Sequence, residues 1–164
     1  MYVSRRRFLI GAGVASAVAL TATARARPAM ASPVGEYEVT HTDAEWRELL
    51  TGDQYEILRQ AGTEVPYSSP LNDEHRQGIF SCAGCAQELF SSDTKFESDT
   101  GWPSFWRPLD GAVVEDSDST LGMTRTEVLC QRCGSHLGHV FDDGPPPTGL
   151  RYCMNGAAMT FQST

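Results

Sequence analysis

The first part of the chain carries two helix-start signals before the apolar pattern changes. Thr42 is followed by Glu45 three residues later, and Thr51 is followed in the same way by Gln54. Each pair forms a capping box, in which a threonine hydroxyl and an acidic or amide side chain satisfy free N–H groups of the first helical turn. Gly62 is suited to end the second element. The pattern predicts two short helices.

Beyond residue 78 the chain consists of short apolar runs separated by Gly, Pro, Ser and Asp, a pattern typical of antiparallel strands. The segment 142–150, DDGPPPTGL, has almost no backbone donors in its proline run and is predicted to be a rigid loop. Residues 42–164 are therefore predicted to form one mainly β domain. The runs are IFSC, ELFSS, WPSFW, GAVVE, TRTEVLC, HLGHVF, LRYCMN and AMTFQ.

Residues 1–31 differ from the rest of the chain. They contain no Asp or Glu, three consecutive arginines and then a Gly/Ala-rich apolar run, the pattern of a secretory signal. SRRRFL has the twin-arginine form, and small residues precede a predicted cut before Ser32. The sequence therefore predicts export to a periplasmic or other extracytoplasmic compartment. An uncleaved membrane anchor is the alternative reading, and residues 32–41 have the composition of a linker.

Composition and charge narrow the choice of partner. The 164 residues include 13 basic and 21 acidic side chains, so the formal net charge is −8. Without residues 1–31, which contain five arginines, eight basic side chains remain and the charge becomes −13. An acidic chain of this kind is a poor partner for nucleic acid, which is not expected to bind.

Four of the five cysteines form two C-x-x-C pairs, Cys82 with Cys85 and Cys130 with Cys133. This is the spacing at which two turns offer four thiolates to one tetrahedral zinc ion. Two disulfides, or redox motifs of the thioredoxin kind, are the alternatives in an exported protein. The equal spacing, with a glycine in or beside each turn, favours one structural zinc per chain. Such a closed site has no open position for substrate.

The fifth cysteine, Cys153 in RYCMN, remains unpaired. A lone cysteine is either an inert buried residue or a reactive thiol, and Arg151 two residues earlier favours the reactive form.

With these pairs placed, the chain resembles methionine-R-sulfoxide reductases of the B type between about Asp43 and Phe161. The motifs GWPSF, HLGHVF, DGPPPTG and RYCxN occur in order. The resemblance implies a fold of two antiparallel sheets with short N-terminal helices and a zinc site. It also implies reduction of the R epimer of methionine sulfoxide, chiefly in oxidised proteins.

The resemblance also implies roles for particular residues. Cys153 would attack the sulfoxide sulfur and become a sulfenic acid. His136 and His139 would hydrogen-bond and protonate the sulfoxide oxygen. Histidines so close to a cysteine pair could instead be auxiliary metal ligands or surface residues, but four cysteines already complete the metal site.

Trp102 would pack against the substrate methyl group, with Phe141 closing the apolar wall, although either ring could equally belong to the core. Arg151, Asn155 and Asp143 are expected to orient the cluster by hydrogen bonds.

One position departs from many relatives. Thr100 stands where these often carry a second, resolving cysteine, so the sequence predicts recycling by an external thiol, thioredoxin-like or other. The protein is expected to be a monomer. Two rival hypotheses are a zinc-ribbon binding module, which would not need Cys153, and a thiol oxidoreductase that works through its C-x-x-C pairs.

Overall fold

The computed structural model describes residues 37–164. The predicted signal, residues 1–31, and the start of the predicted linker lie outside the described residues. Residues 37–41 of that linker run beside the folded domain, where the Val39 N–H donates to the Arg132 carbonyl at 3.0 Å. In the described part, no helix combines the length and apolarity needed to cross a membrane.

The two predicted helices are present, and both capping boxes form. Helix α1 spans Asp43–Leu49 with Thr42 as its cap, and helix α2 spans Gly52–Gln60 with Thr51 as its cap. The prediction for the end of α2 needs a correction. Ala61, not Gly62, adopts the left-handed conformation, with φ of 52°. Position 62 needs a glycine for a steric reason, because a Cβ there would lie 2.8 Å from the Glu56 carbonyl oxygen.

All eight predicted runs contain a strand, and a short strand over Lys95–Phe96 was not predicted. The strands form a three-stranded sheet in the order β2-β1-β9 and a six-stranded sheet in the order β3-β4-β8-β7-β6-β5. Every pairing is antiparallel. The predicted mainly β fold with two sheets is confirmed. The strands are β1 Gly78–Cys82, β2 Glu88–Ser91, β3 Lys95–Phe96, β4 Ser104–Phe105, β5 Val113–Asp118, β6 Arg125–Cys130, β7 His136–Phe141, β8 Arg151–Met154 and β9 Met159–Ser163.

The core contains a cluster of aromatic rings contributed by both sheets. Phe105 of the larger sheet stacks on Phe90 of the smaller one, with ring centroids 4.3 Å apart, and meets Phe80 at 5.0 Å. All three side chains are fully buried. Burial of a phenylalanine side chain contributes roughly 1.5–3 kcal/mol, so this cluster holds the two sheets together through apolar contact.

A bulge in β7 determines which side chains share a face of the larger sheet. One step along β6, from Val128 to Leu129, corresponds to two steps along β7, from Gly138 to His136. The extra residue reverses the usual alternation of side chains, so two histidines three positions apart can face the same way. Gly138 permits the close packing, because a Cβ there would lie 2.1 Å from the Cys153 carbonyl oxygen.

Candidate active site and metal centre

The two C-x-x-C pairs meet in space. Cys82 ends β1 and Cys130 ends β6, while Cys85 and Cys133 lie in the turns that follow. The four sulfur atoms lie within 4.8 Å of one another, at 3.8 Å for Cys82 and Cys133 and 3.6 Å for Cys85 and Cys130. A disulfide would need a sulfur separation of about 2.05 Å, so these cysteines are free thiols.

The cluster fits zinc. Four sulfurs placed tetrahedrally at about 2.3 Å from one ion are separated by about 3.8 Å, close to the 3.8 and 3.6 Å of the two pairs above, and all four lie within 4.8 Å of one another. Contact with Cys130 lowers the pKa of both Cys85 and Cys133, whereas contacts among the thiols raise the pKa of Cys82 and Cys130. A bound cation would favour the thiolate form of all four, so the cysteines form a structural metal site of the closed type.

Cys153 lies in the middle of the larger sheet, with a cross-strand neighbour on each side. Ser104 of β4 is opposite it on one side, and His139 of β7 on the other. The adjacent β8 residues Tyr152 and Met154 point into the core and are 6% and 0% exposed. The thiol therefore faces the opposite side of the sheet, where it is half-buried.

Burial and local charge have opposite effects on the pKa of the Cys153 thiol. Removal from water raises the pKa of Cys153 above its ordinary 9.0, and this effect is larger than the lowering caused by the positive charge of Arg151. Arg151 was predicted to favour the thiolate, and its charge acts in that direction. The net shift is nonetheless upward, so the thiol form predominates at neutral pH in the free protein.

Arg151 is held firmly beside Cys153. Its guanidinium donates two hydrogen bonds to the Asp143 carboxylate, each 2.8 Å long, and its Cζ lies 4.5 Å from the centre of the Phe141 ring. This bidentate contact lowers the pKa of Asp143. The predicted loop 142–150 thus supplies the carboxylate that orients the arginine.

His136 forms a buried pair with an acidic residue. Its Nδ1 lies 2.5 Å from the Glu127 carboxylate, and the two residues are 3% and 7% exposed. Within the described part of the chain, Nε2 is buried and has no hydrogen-bond partner. A buried polar atom without a partner is costly, so this nitrogen is suited to a substrate atom.

His139 has a different partner. Its Nε2 lies 2.9 Å from the Asp118 carboxylate, which also accepts from Arg125 at 2.6 Å. Burial lowers the pKa of His139 below its ordinary 6.5, although the hydrogen bond to Asp118 acts in the opposite direction. The two imidazole rings lie on one face of the sheet, with centroids 5.3 Å apart.

Trp102 and Asn155 are joined through Glu64. The indole Nε1 of Trp102 donates to the Glu64 carbonyl at 3.2 Å, and the Glu64 N–H donates to the Asn155 side chain at 3.0 Å. The Glu64 carboxylate accepts from the N–H groups of Gly156 and Ala157 at 2.7 and 2.8 Å. Asn155 therefore contacts backbone groups, since its amide also donates to the Leu137 carbonyl.

The structure thus brings together most of the predicted residues. The face of β7 and β8 carries His139, Cys153, Arg151 and Phe141, and His136 adjoins it across the bulge. Sequence reasoning missed Glu64, Asp118 and Glu127. Glu127 had a visible signal, namely a charged residue inside the otherwise apolar end of the run TRTEVLC. Glu64 had none, because it lies in an irregular segment whose contacts are all distant in sequence.

Comparison with known proteins assigns a family to this arrangement. Residues 50–163 match the SelR domain. A protein of Agrobacterium fabrum called peptide methionine sulfoxide reductase MsrB is 56% identical over 126 residues, which cover 76% of this chain and 93% of that protein. A protein of the same name from Leptospira interrogans is 55% identical over 127 residues, covering 77% and 97%.

A third relative is similar over the same length of the chain. The MsrB of Methanosarcina barkeri is 52% identical over 126 residues, which cover 76% of this chain and 89% of that protein. The fold and the site therefore define a zinc-site β protein with a thiol centre. The chain belongs to the SelR family, that of the MsrB methionine sulfoxide reductases.

We predict about one zinc ion per chain, measured by elemental analysis of folded protein. A strong chelator should unfold the protein instead of only inhibiting it, because the four thiols join the two sheets. Circular dichroism and metal content, followed together during chelation, provide the test. Loss of the metal with an unchanged thermal transition would contradict a structural role.

Proposed function

We propose that this protein reduces the R epimer of methionine sulfoxide in oxidised proteins to methionine, with Cys153 as the nucleophile. The observation that carries the proposal is the position of Cys153. It is the one cysteine of residues 37–164 outside the metal cluster, and it lies on a sheet face together with Arg151 and His139. The MsrB relatives support the activity.

The proposed reaction has two parts. The Cys153 thiolate attacks the electrophilic sulfur of the sulfoxide, and the oxygen is transferred to Cys153 with uptake of one proton. Methionine leaves and Cys153 is oxidised to a sulfenic acid. An external thiol then attacks the sulfenic acid and releases water, and a second thiol cleaves the resulting mixed disulfide to restore the Cys153 thiol.

The histidines are proposed to act on the sulfoxide oxygen. Nε2 of His136 is the nitrogen left without a partner by the contact with Glu127. Because the Glu127 carboxylate accepts at Nδ1, Nε2 can donate to the sulfoxide oxygen only when both ring nitrogens carry a proton. His139 is proposed as the acid. Because Asp118 accepts at Nε2, the proton must be delivered from Nδ1 of the imidazolium form, which the Asp118 carboxylate stabilises.

Trp102 and Phe141 are proposed to form the apolar wall for the substrate methyl group, which distinguishes the epimers by separating methyl from oxygen. Both rings are half-buried, and each is held by a polar neighbour: Trp102 by Glu64, Phe141 by Arg151. Asn155 is proposed to fix the distance between the Trp102 loop and β7, since its side chain contacts Glu64 and Leu137.

The zinc is proposed to stabilise the fold and to take no part in the reaction. Cys82, Cys85, Cys130 and Cys133 would hold it, and when bound it would join the turns after β1 and β6. Recycling is proposed to use a thioredoxin-like or other thiol reductant, and the protein is proposed to work as a monomer.

Export is part of the proposal. The twin-arginine route carries folded proteins, so it suits a chain that acquires its metal before leaving the cytoplasm. We propose that residues 1–31 direct the protein through this route to an extracytoplasmic compartment, with a cut before Ser32. N-terminal sequencing of the mature protein from its host tests this, and an intact Met1 on the exported protein would support the anchor instead.

The activity is tested with racemic methionine sulfoxide and a dithiol reductant. We expect consumption of the R epimer with the S epimer left intact, measured by chiral chromatography. Cys153→Ser should abolish turnover, because serine is a far weaker nucleophile, without loss of zinc or of the thermal transition. Trp102→Ala should erode the epimer preference through loss of the apolar wall. Substantial turnover by Cys153→Ser would overturn the proposal.

The two pKa shifts predict an unusual pH profile. The active form needs the Cys153 thiolate, scarce below pH 9.0, and the His139 imidazolium, scarce above pH 6.5. Between these values one form increases about tenfold per pH unit while the other decreases by the same factor. We therefore expect kcat/KM to be level over at least pH 6.5 to 9, and to fall only below the lowered pKa of His139 and above the raised pKa of Cys153.

The control for this profile is His139→Gln, which cannot supply the proton. Its residual kcat/KM should rise with pH across the same range, because only the thiolate then limits the rate. A wild-type profile that rises with unit slope from pH 6.5 to 9 would contradict the role of His139 as the acid.

A further inference from the structure

Three hydroxyl groups beside Cys153 have no part in the reaction described above. The Ser98 hydroxyl lies 2.8 Å from the Thr100 hydroxyl and 2.7 Å from the Ser104 hydroxyl. The Thr100 oxygen lies 4.0 Å from the Cys153 sulfur, a long contact for a hydrogen bond to sulfur. These residues form a connected hydroxyl chain, with Ser98 in the middle and Thr100 and Ser104 at the ends.

The backbone places both ends of this chain beside the thiol. Ser104 is the β4 residue opposite Cys153, is 1% exposed and donates to the Trp102 carbonyl at 3.1 Å. Asp99 lies between Ser98 and Thr100 with φ of 56°, in the left-handed region that non-glycine residues seldom adopt. This conformation turns the chain so that the two flanking hydroxyls meet.

Hydroxyl groups suit a sulfur atom that changes its charge during the reaction. Each hydroxyl can donate one hydrogen bond and accept others, and its proton position rotates to suit the partner. When Cys153 is a thiolate, Thr100 can donate to the sulfur if Ser98 donates to Thr100 and Ser104 donates to Ser98 in place of the Trp102 carbonyl. When Cys153 is a sulfenic acid, a hydroxyl oxygen can instead accept from its S–O–H group.

We propose that Ser98, Thr100 and Ser104 form a hydroxyl chain that stabilises Cys153 first as a thiolate and then as a sulfenic acid. Ser98 does not touch the sulfur and is a positioning residue, because its two hydrogen bonds orient the end hydroxyls. The inference rests on the proposed role of Cys153 as the nucleophile. Hydrogen bonds to an ionised acceptor are about twice as strong as neutral ones, so small changes of geometry here affect the thiolate population.

The electrostatics of Cys153 agree with this geometry. Burial raises its pKa, and the charge of Arg151 and the nearby hydroxyls of Thr100 and Ser104 lower it. The hydroxyl chain therefore offsets part of the free-energy cost of burying a thiolate.

The second function of the hydroxyl chain follows from the absence, in the described residues, of another cysteine outside the metal cluster. The sulfenic acid must persist until an external thiol arrives, and further oxidation to a sulfinic acid is irreversible in most proteins. Hydrogen bonds that hold the sulfenic acid in its protonated form would slow that loss, because attack on a further oxidant requires electron density on the sulfur.

The test uses Ser98→Ala, which removes the central hydroxyl, and Ser98→Thr, which keeps it. Ser163→Ala is the matched control, since Ser163 is exposed on β9 of the other sheet. The rate of iodoacetamide alkylation of Cys153 is followed by peptide mass spectrometry between about pH 6 and 11. This readout does not require the enzyme to turn over.

We expect Ser98→Ala to be alkylated about fivefold more slowly at neutral pH, with a profile displaced to higher pH. Its rate should equal that of the wild type where both are fully ionised. Ser98→Thr and Ser163→Ala should match the wild type throughout. After one equivalent of hydrogen peroxide, Ser98→Ala should also lose its sulfenic acid faster, measured by trapping with dimedone at successive times.

If Ser98→Ala and the wild type give the same alkylation profile, the proposed role of the hydroxyl chain is wrong, even if Cys153 is essential for sulfoxide reduction. Retained reduction by Cys153→Ser would overturn the proposed function instead, so the two failures are distinguishable. If Ser98→Ala does not fold, Thr100→Val carries the same test, because it removes the end hydroxyl while keeping the size and shape of the side chain.

Discussion

The four-thiol cluster is the constraint on which the rest of the structure depends. Cys82 belongs to the three-stranded sheet and Cys130 to the six-stranded sheet, so an ion held by both would join the two sheets directly. The apparent binding energy of a structural zinc, about 10–16 kcal/mol, is comparable to the whole stability of a domain of about 5–15 kcal/mol. Arg132 adds a contact between the two turns by donating to the Cys85 carbonyl at 3.0 Å.

The metal cluster also sets the start of the active-site strand. Only two residues separate Cys133 from His136, and the Arg59 side chain of α2 donates to the Cys133 carbonyl at 3.3 Å. The bulge in β7 then brings both histidines to the face that carries Cys153. The metal site and the thiol centre are therefore parts of one arrangement, although the metal takes no part in the proposed chemistry.

The helices, the strands and the cysteine turns were predictable from the sequence, because each depends on residues close together in the chain. Capping boxes, C-x-x-C turns and short apolar runs are read from neighbouring residues, and each led to the correct element. The bulge was not predictable, because it is defined by how β7 pairs with β6. The partners of the histidines, Glu127 and Asp118, depend on the same pairing. The left-handed conformation of Ala61 was missed because glycine is the usual residue there.

The proposed mechanism assigns different roles to the cysteines: four stabilise the fold and one performs the chemistry. Enzyme given methionine sulfoxide without any reductant provides the direct test. It should release about one methionine per chain and stop, with a sulfenic acid on Cys153, trapped chemically and located by mass spectrometry. A disulfide between Cys153 and any of the four cluster cysteines in competent enzyme would contradict the account.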